Sequence, residues 1–173
     1  MPMKLVNRHT KHIISECFID RVFIEIVCEL KDLSTNKQHG KFNVLNCMEK
    51  SYKNKKALGI IDEDRGNNRP NLFKKQFVLN TQMPNINVWR HEIEHHIIIE
   101  IKPAADGFIF QEGQRLGIMK GDSLPKEYKD FCKLAKDDNI HKNLELRDLI
   151  KSIKKDCSET IIEIQKLVKE IDS

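Results

Sequence analysis

The sequence predicts an α/β domain with a C-terminal helical extension, and three stretches of its 173 residues carry that prediction. The first is Lys56 to Asp62, an apolar run bounded by turn residues and too short for a helix, which reads as a buried strand. The second is Lys11 to Glu16, a short strand pattern followed at once by helical spacing, the opening of an α/β unit. The third is Leu144 to Ile171, where apolar residues recur every three or four positions with no strand pattern between them.

Taken in order, the first strand ends on an acid, Glu16. Phe18 to Leu33 follows with Phe18, Val22, Ile26, Leu30 and Leu33 on one stripe, predicting a helix over 18–33. Ser34 to Gly40 is a polar connection with room for a very short strand, and Phe42 to Tyr52 predicts a second helix. The central strand over 56–62 closes with Asp62-Glu63-Asp64, and 66–71 is the most loop-like segment of the chain. Phe77-Val78-Leu79 is a weak strand signal. Asn85 to Arg90 and His95 to Lys102 predict a hairpin ended by Pro103. A helix is expected from Ala104 to Phe110, until Gly113, Gly117 and Gly121 interrupt it. Ser123 reads as the N-cap of the next helix, with Glu127 in its first turn. Asp156-Cys157-Ser158 divides the last helical stretch in two. Residues 1–122 thus read as the α/β core, and 123–173 as a helical extension that packs on the core or pairs two copies.

Composition narrows the function classes. Hydrophobic content of 39% and charged content of 32% describe a polar globular chain, and no apolar run approaches the ~20 residues that span a bilayer. Met1 to Thr10 lacks the apolar core of a signal peptide. Five scattered cysteines, never in a C-x-x-C pair, point to reduced thiols and a cytoplasmic location rather than a disulfide frame or a zinc-thiolate site. A net charge of +4 permits a nucleic-acid partner but does not demonstrate one, because solvated lysine-rich faces are the commoner explanation.

The chemistry gathers at the predicted strand ends. Glu16 ends the first strand and Asp20 lies one helical turn later, while Asp62 and Asp64 end the central strand and, two apart, face the same way. Sites in open α/β sheets form beyond the carboxyl ends of strands. Four acids converging there repel one another unless a cation offsets them, and Mg²⁺ or Mn²⁺ matches carboxylate ligands. The plainer alternative is that Asp62 and Asp64 merely end a strand in a solvated turn.

Glu16-x-x-x-Asp20 after a strand, Gly40 after a polar connection and Asp62-x-Asp64 after an apolar strand together resemble the TOPRIM domain, the metal-binding module of topoisomerases, bacterial primases and overcoming-lysogenization-defect nucleases. Ile13-Ile14-Ser15-Glu16-Cys17-Phe18-Ile19-Asp20, His39-Gly40-Lys41 and Gly59-Ile60-Ile61-Asp62-Glu63-Asp64 look most like the nuclease and phage-defence branch. The segment Ile99 to Asp106 resembles a strand-Pro-Ala-x-acid stretch of stand-alone relatives. The likeness spans about residues 10 to 112. It implies a TOPRIM-like, mostly parallel sheet flanked by helices, and Mg²⁺- or Mn²⁺-dependent phosphodiester cleavage of DNA or RNA, in a bacterial phage-defence setting. By the same resemblance Glu16, Asp62 and Asp64 would be catalytic, with Glu16 the general acid/base. Glu16, Asp20, Asp62 and Asp64 would hold the metal, Gly40 and Lys41 would meet the nucleic-acid phosphate, and Asp106 would be accessory. Cys17 stands where the family usually has glycine, and Asp106 where it usually has glutamate. The alternative is a TOPRIM-like module that binds metal or a partner and catalyses nothing. Related systems add an ATPase, which here would be a separate chain because no P-loop string is present.

Three further signals carry less. His91-Glu92-Ile93-Glu94-His95 spells the zinc-protease string, but that chemistry needs a helix, and on a strand the two histidines lie about 13 Å apart. Cys17 reads as structural, because acidic neighbours blunt a thiol. Lys37, Lys41, Lys50, Lys53, Lys55 and Lys56 flank the acids in sequence, either as phosphate contacts or as solvated residues.

Overall fold

The protein, described from a computed structural model, is defined over residues 10–63, 71–122 and 124–173. Asp64, most of the Gly66–Asn71 loop and Ser123 therefore lie outside the described residues. Six strands make one mixed, mostly parallel sheet. In chain order they are β1 (Ile13–Ser15), β2 (Asn36–Lys37), β3 (Ala57–Asp62), β4 (Phe77–Gln82), β5 (Ile86–His91) and β6 (His96–Ile101). The spatial order is β2-β1-β3-β6-β5-β4. The neighbours β2-β1-β3-β6 run parallel, and β6-β5-β4 is an antiparallel meander.

Among the described residues seven α-helices accompany the sheet: α1 (Phe18–Val27), α2 (Lys41–Ser51), α3 (Asn71–Gln76), α4 (Ala105–Arg115), α5 (Tyr128–Ala135), α6 (Leu144–Lys155) and α7 (Glu159–Asp172). Strand alternation sorts the core into two layers. Ile13, Leu58, Ile60, Ile97 and Ile99 face one side and pack with α1, α4, α5, α6 and α7. Ile14, Ala57, Ile61 and Ile98 face the other and pack with Val44, Leu45 and Met48 of α2 and Phe73 of α3. β3 can be apolar along nearly its whole length because both its faces are covered. Gly59 is where α2 comes nearest: a Cβ there would stand 2.8 Å from Met48 Sδ and 3.1 Å from Val44 Cγ1. No helix among the described residues is long and apolar enough to cross a membrane.

Three sequence expectations need correction. The first helix ends at Val27, six residues early, because Glu29 takes a left-handed backbone (φ 56°) and the chain winds around the buried Glu25 carboxylate. That carboxylate accepts from Leu33 N (2.9 Å), Thr35 N (3.0 Å) and Thr35 Oγ1 (2.7 Å), so it turns the loop back toward β2. Helix α4 runs through Gly113, whose missing side chain leaves room for Met119 and Leu149. Helix α5 begins only at Tyr128, with Glu127 as its N-cap. Leu124 is instead drawn into the core, and the helix starts where Tyr128 and Phe131 meet Phe110, both at 5.4 Å between ring centroids.

Candidate functional site

Parallel strands deliver their last residues to one edge, and the acids are found there. β1 ends at Ser15, so Glu16 leaves the sheet beside Ile60, whose carbonyl accepts the Glu16 N–H (3.0 Å). Asp62 is the last residue of β3, and its register partner Ile101 ends β6 two residues before Pro103. The chain then enters α4, which brings Asp106 to the same edge. A cavity of about 350 Å³ opens there, lined by Glu16, Cys17, Lys37, His39, Gly40, Asp62 and Asp106 among others.

Each acid is held by backbone. Asp62 Oδ1 accepts from Ala105 N at the start of α4 (2.8 Å), and Asp62 N donates to Glu16 Oε2 (3.0 Å). Asp20, fully buried, accepts from Cys17 N through Oδ2 (2.9 Å), closing a capping box at the start of α1. Its other oxygen, Oδ1, is buried with no hydrogen-bond partner among the described residues. Asp106 Oδ1 accepts from Gly107 N (2.7 Å). The helix N-termini of α1 and α4 thus supply part of the positive field that this much negative charge requires.

Lys41 supplies more. It is buried, and its ammonium donates to the Asp62 carbonyl at 2.7 Å, placing a cation directly behind the acids. Gly40 precedes it as the N-cap of α2 with φ 85°, a backbone state that side chains other than glycine rarely adopt. The sequence-predicted phosphate pair is therefore split: Gly40 lines the cavity, while Lys41 lies beneath it.

Electrostatics match the crowding. Burial chiefly, with Glu16 and Asp106 nearby, pushes the Asp62 carboxyl up to about 7 against the pull of the Ala105 N–H and Lys41. Asp20 is raised well above the carboxylate range, by burial first and then by Asp62. Cys17 is raised too, by burial and by both aspartates, so its thiol is neutral in the metal-free protein.

Asp20, Asp62 and Cys17 each offer a ligand atom, and the three lie within 4.8 Å of one another. The two carboxyls are of a type that could hold a divalent cation, and Asp20 Oδ1 is buried without a hydrogen-bond partner among the described residues. Glu16 stands beside this trio rather than in it. Of the predicted metal residues, Asp20 and Asp62 are thus brought together, Glu16 adjoins them, and Asp64 lies outside the described residues.

Three wall residues were not selected from the sequence. Ala135, Lys136 and Asp138 come from the end of α5 and the turn after it, more than 70 residues beyond Asp62. No local pattern could tie them to the acids, because only packing of α5 against α4 brings them over the cavity. Cys17 was read as structural, and the capping of α1 is what turns it toward Asp62. Among the lysines, Lys37 alone of the flanking set lines this cavity, with its ammonium 3.8 Å from the Phe18 ring centre. Lys50 and Lys53 line a different hollow at the other end of the sheet, and Lys56 donates to the Glu170 carbonyl (3.4 Å).

That second hollow, larger at about 580 Å³, contains His91, His96, Glu49 and Glu94. The H-E-x-x-H string begins on the last residue of β5 and runs through the hairpin turn, so it has no helical face. His91 Nδ1 accepts from Ile93 N (3.1 Å) and Glu94 N (2.9 Å), and His96 Nε2 meets the Tyr52 carbonyl (3.0 Å). His91 pins the hairpin turn, His96 lies outside the string and ties β6 to the end of α2, and His95, the string's second histidine, is exposed. No protein-family model, curated protein or solved structure matches this chain.

Proposed function

We propose that the protein is a divalent-metal-dependent phosphodiesterase acting on nucleic acid, with its site in the cavity at the carboxyl ends of β1 and β3. The observation that carries this reading is convergence: Glu16, Asp62 and Asp106 come from three separate segments to line one cavity, with Asp20 beneath. Asp62 and Asp20 would hold the cation. Such an ion supplies Lewis-acid stabilisation of charge on a phosphoryl oxygen. Glu16, at the cavity wall, is placed to carry a proton to or from an oxygen of the scissile phosphate. The N-terminal ends of α1 and α2 border the same space through Cys17 and Gly40, and amides at helix starts favour an anion. Lys37 and Lys136 add positive charge at the wall, and Phe42, 64% exposed on the first turn of α2, offers a face on which a base can stack. The TOPRIM-like resemblance points the same way.

The test is nicking of supercoiled plasmid, and cleavage of a labelled RNA, with Mg²⁺ or Mn²⁺ by wild type, Glu16→Gln and Asp62→Asn. Cleavage reduced on the order of 10²–10⁴-fold in Glu16→Gln supports the proton-transfer role. Cleavage equal in all three proteins would assign it to a contaminant.

A second reading, a binding module without catalysis, is favoured by one observation. Asp62 and Asp20 already serve as backbone acceptors for Ala105 and Cys17, so both acids have structural employment. It predicts metal binding without cleavage in the same experiment.

A further inference from the structure

The Asp20–Asp62 pair has a third member that is not an oxygen. Cys17 is the N-cap of α1, and its sulfur lies with the Asp20 and Asp62 oxygens in a group whose atoms are all within 4.8 Å. Helix capping accounts for Asp20 Oδ2, which takes the Cys17 N–H, but not for Oδ1, which is fully buried without a hydrogen-bond partner among the described residues. A buried acceptor left unsatisfied is costly, and beside a second carboxyl and a sulfur a divalent cation is one group that would satisfy it, in place of the proton that burial otherwise favours there.

We infer that Cys17, Asp20 and Asp62 form a mixed sulfur–oxygen site that selects a thiophilic divalent ion, of the Zn²⁺ or Co²⁺ class, over Mg²⁺. This rests on the reading that the cavity holds a divalent cation, and it names which one. Hard Mg²⁺ takes oxygen ligands in near-octahedral array, whereas thiolate ligands select zinc-like ions. The spacing is close to what such an ion needs. Bonds of ~2.0–2.3 Å in a tetrahedral array place donors roughly 3.3–3.8 Å apart, so the trio would draw in by about 1 Å at its widest. Cys17 and Asp62 line the cavity while Asp20 lies beneath, so an ion among them is reached from the cavity side. Binding forms a sulfur–metal bond and releases the thiol proton to water, since a coordinated thiol is held as thiolate. The set departs from the ligands that the resemblance implies in that Cys17 joins Asp20 and Asp62, while Glu16 stands outside the trio.

The experiment is an optical titration of the metal-free, reduced full-length protein with Co²⁺, beside Mg²⁺ binding followed by calorimetry. A sulfur-to-cobalt charge-transfer band should grow to a single equivalent, be displaced by Zn²⁺ and survive excess Mg²⁺. Cys17→Ser should lose the band and bind Zn²⁺ at least roughly 10–100-fold more weakly, the loss that even an outer-shell partner causes. Circular dichroism of Cys17→Ser and of Cys17→Ala establishes that the fold is retained. Cobalt binding without the band, or a band that persists in Cys17→Ser because another thiol supplies it, overturns the mixed site and leaves the divalent-cation reading standing. Failure of wild type to bind Co²⁺, Zn²⁺ or Mg²⁺ overturns both.

Discussion

The two ends of the sheet hold the chain's two conspicuous sets of titratable side chains, and they have been built in opposite ways. At the amino end of β6, His91 and His96 stand with ring centroids 5.8 Å apart, and each has a ring nitrogen committed to a backbone group. At the carboxyl end of β3, Glu16, Asp20 and Asp62 also hold backbone amides, yet one carboxylate oxygen is left over in the interior. The histidine end spells a catalytic motif and uses it to close a hairpin. The acid end is dispersed in sequence, and among the described residues one of its buried carboxyl oxygens has no hydrogen-bond partner. A site is better recognised by the valency its side chains have to spare than by the letters that spell it.

Their responses to pH are also opposite. Burial, then the neighbouring His96, lowers the His91 pKa from its ordinary 6.5. The unfolded chain therefore takes up the proton more readily, and the His91 contribution to stability is full at alkaline pH and lost as pH falls below that range. Asp62 is raised from 3.8 to about 7. The folded state then holds the extra proton between those values, so its contribution is full at low pH and lost as pH rises toward about 7.

The largest effect that sharpens this contrast is expected at Lys41, the cation behind the acids. Lys41→Met should destabilise the metal-free protein by about 3 kcal/mol at pH 8, and by clearly less at pH 5, where Asp62 is protonated. Urea denaturation at the two pH values measures it; an equal loss at both would remove Lys41 from the charge balance. Next comes Asp62→Asn, which keeps an acceptor for Ala105 N and deletes the charge. It should flatten the stability profile between pH 4 and 8 and raise metal-free stability at pH 8 by about 2 kcal/mol. Added divalent metal should raise the melting temperature of wild type more at pH 8 than at pH 5, and should do little for the variant. A wild-type profile that is already flat would break the comparison at the acid end. The smallest effect belongs to the other end. The His91→Ala/His95→Ala double variant should cost no more than about 1 kcal/mol and leave metal binding and any nicking intact. Loss of metal binding in that variant would reverse the assignment of the two ends.

Much of this arrangement was legible in local pattern. The run over 56–62 had to be a strand because it is apolar, short and bounded by turns, and β3 spans Ala57–Asp62. Strand-type composition, above all the β-branched run before Pro103, gave β5 and β6, and the three-to-four-residue spacing from Leu144 onward gave α6 and α7, parted at Cys157 with φ 51°. Acids that end strands must lie at strand ends, so the meeting of Glu16 with Asp62 followed once β1 and β3 were adjacent and parallel.

Other features depend on distant chain. Helix α1 stops where Glu25 captures Leu33 and Thr35, a contact invisible to helical periodicity. Lys136 reaches the cavity through packing of α5 on α4, and Lys41, which the TOPRIM resemblance placed beside a phosphate, is buried with its ammonium on the Asp62 carbonyl. Period and turn chemistry are local properties, so the strands, the helices and the acids at their ends could be read from residues a few positions apart. Burial, desolvation and the one unsatisfied oxygen of Asp20 are properties of what surrounds an atom in three dimensions. Only the packing of α1, α2 and α4 around the end of β3 decided which carboxylate oxygens would meet backbone amides, and which would be buried without a partner among the described residues.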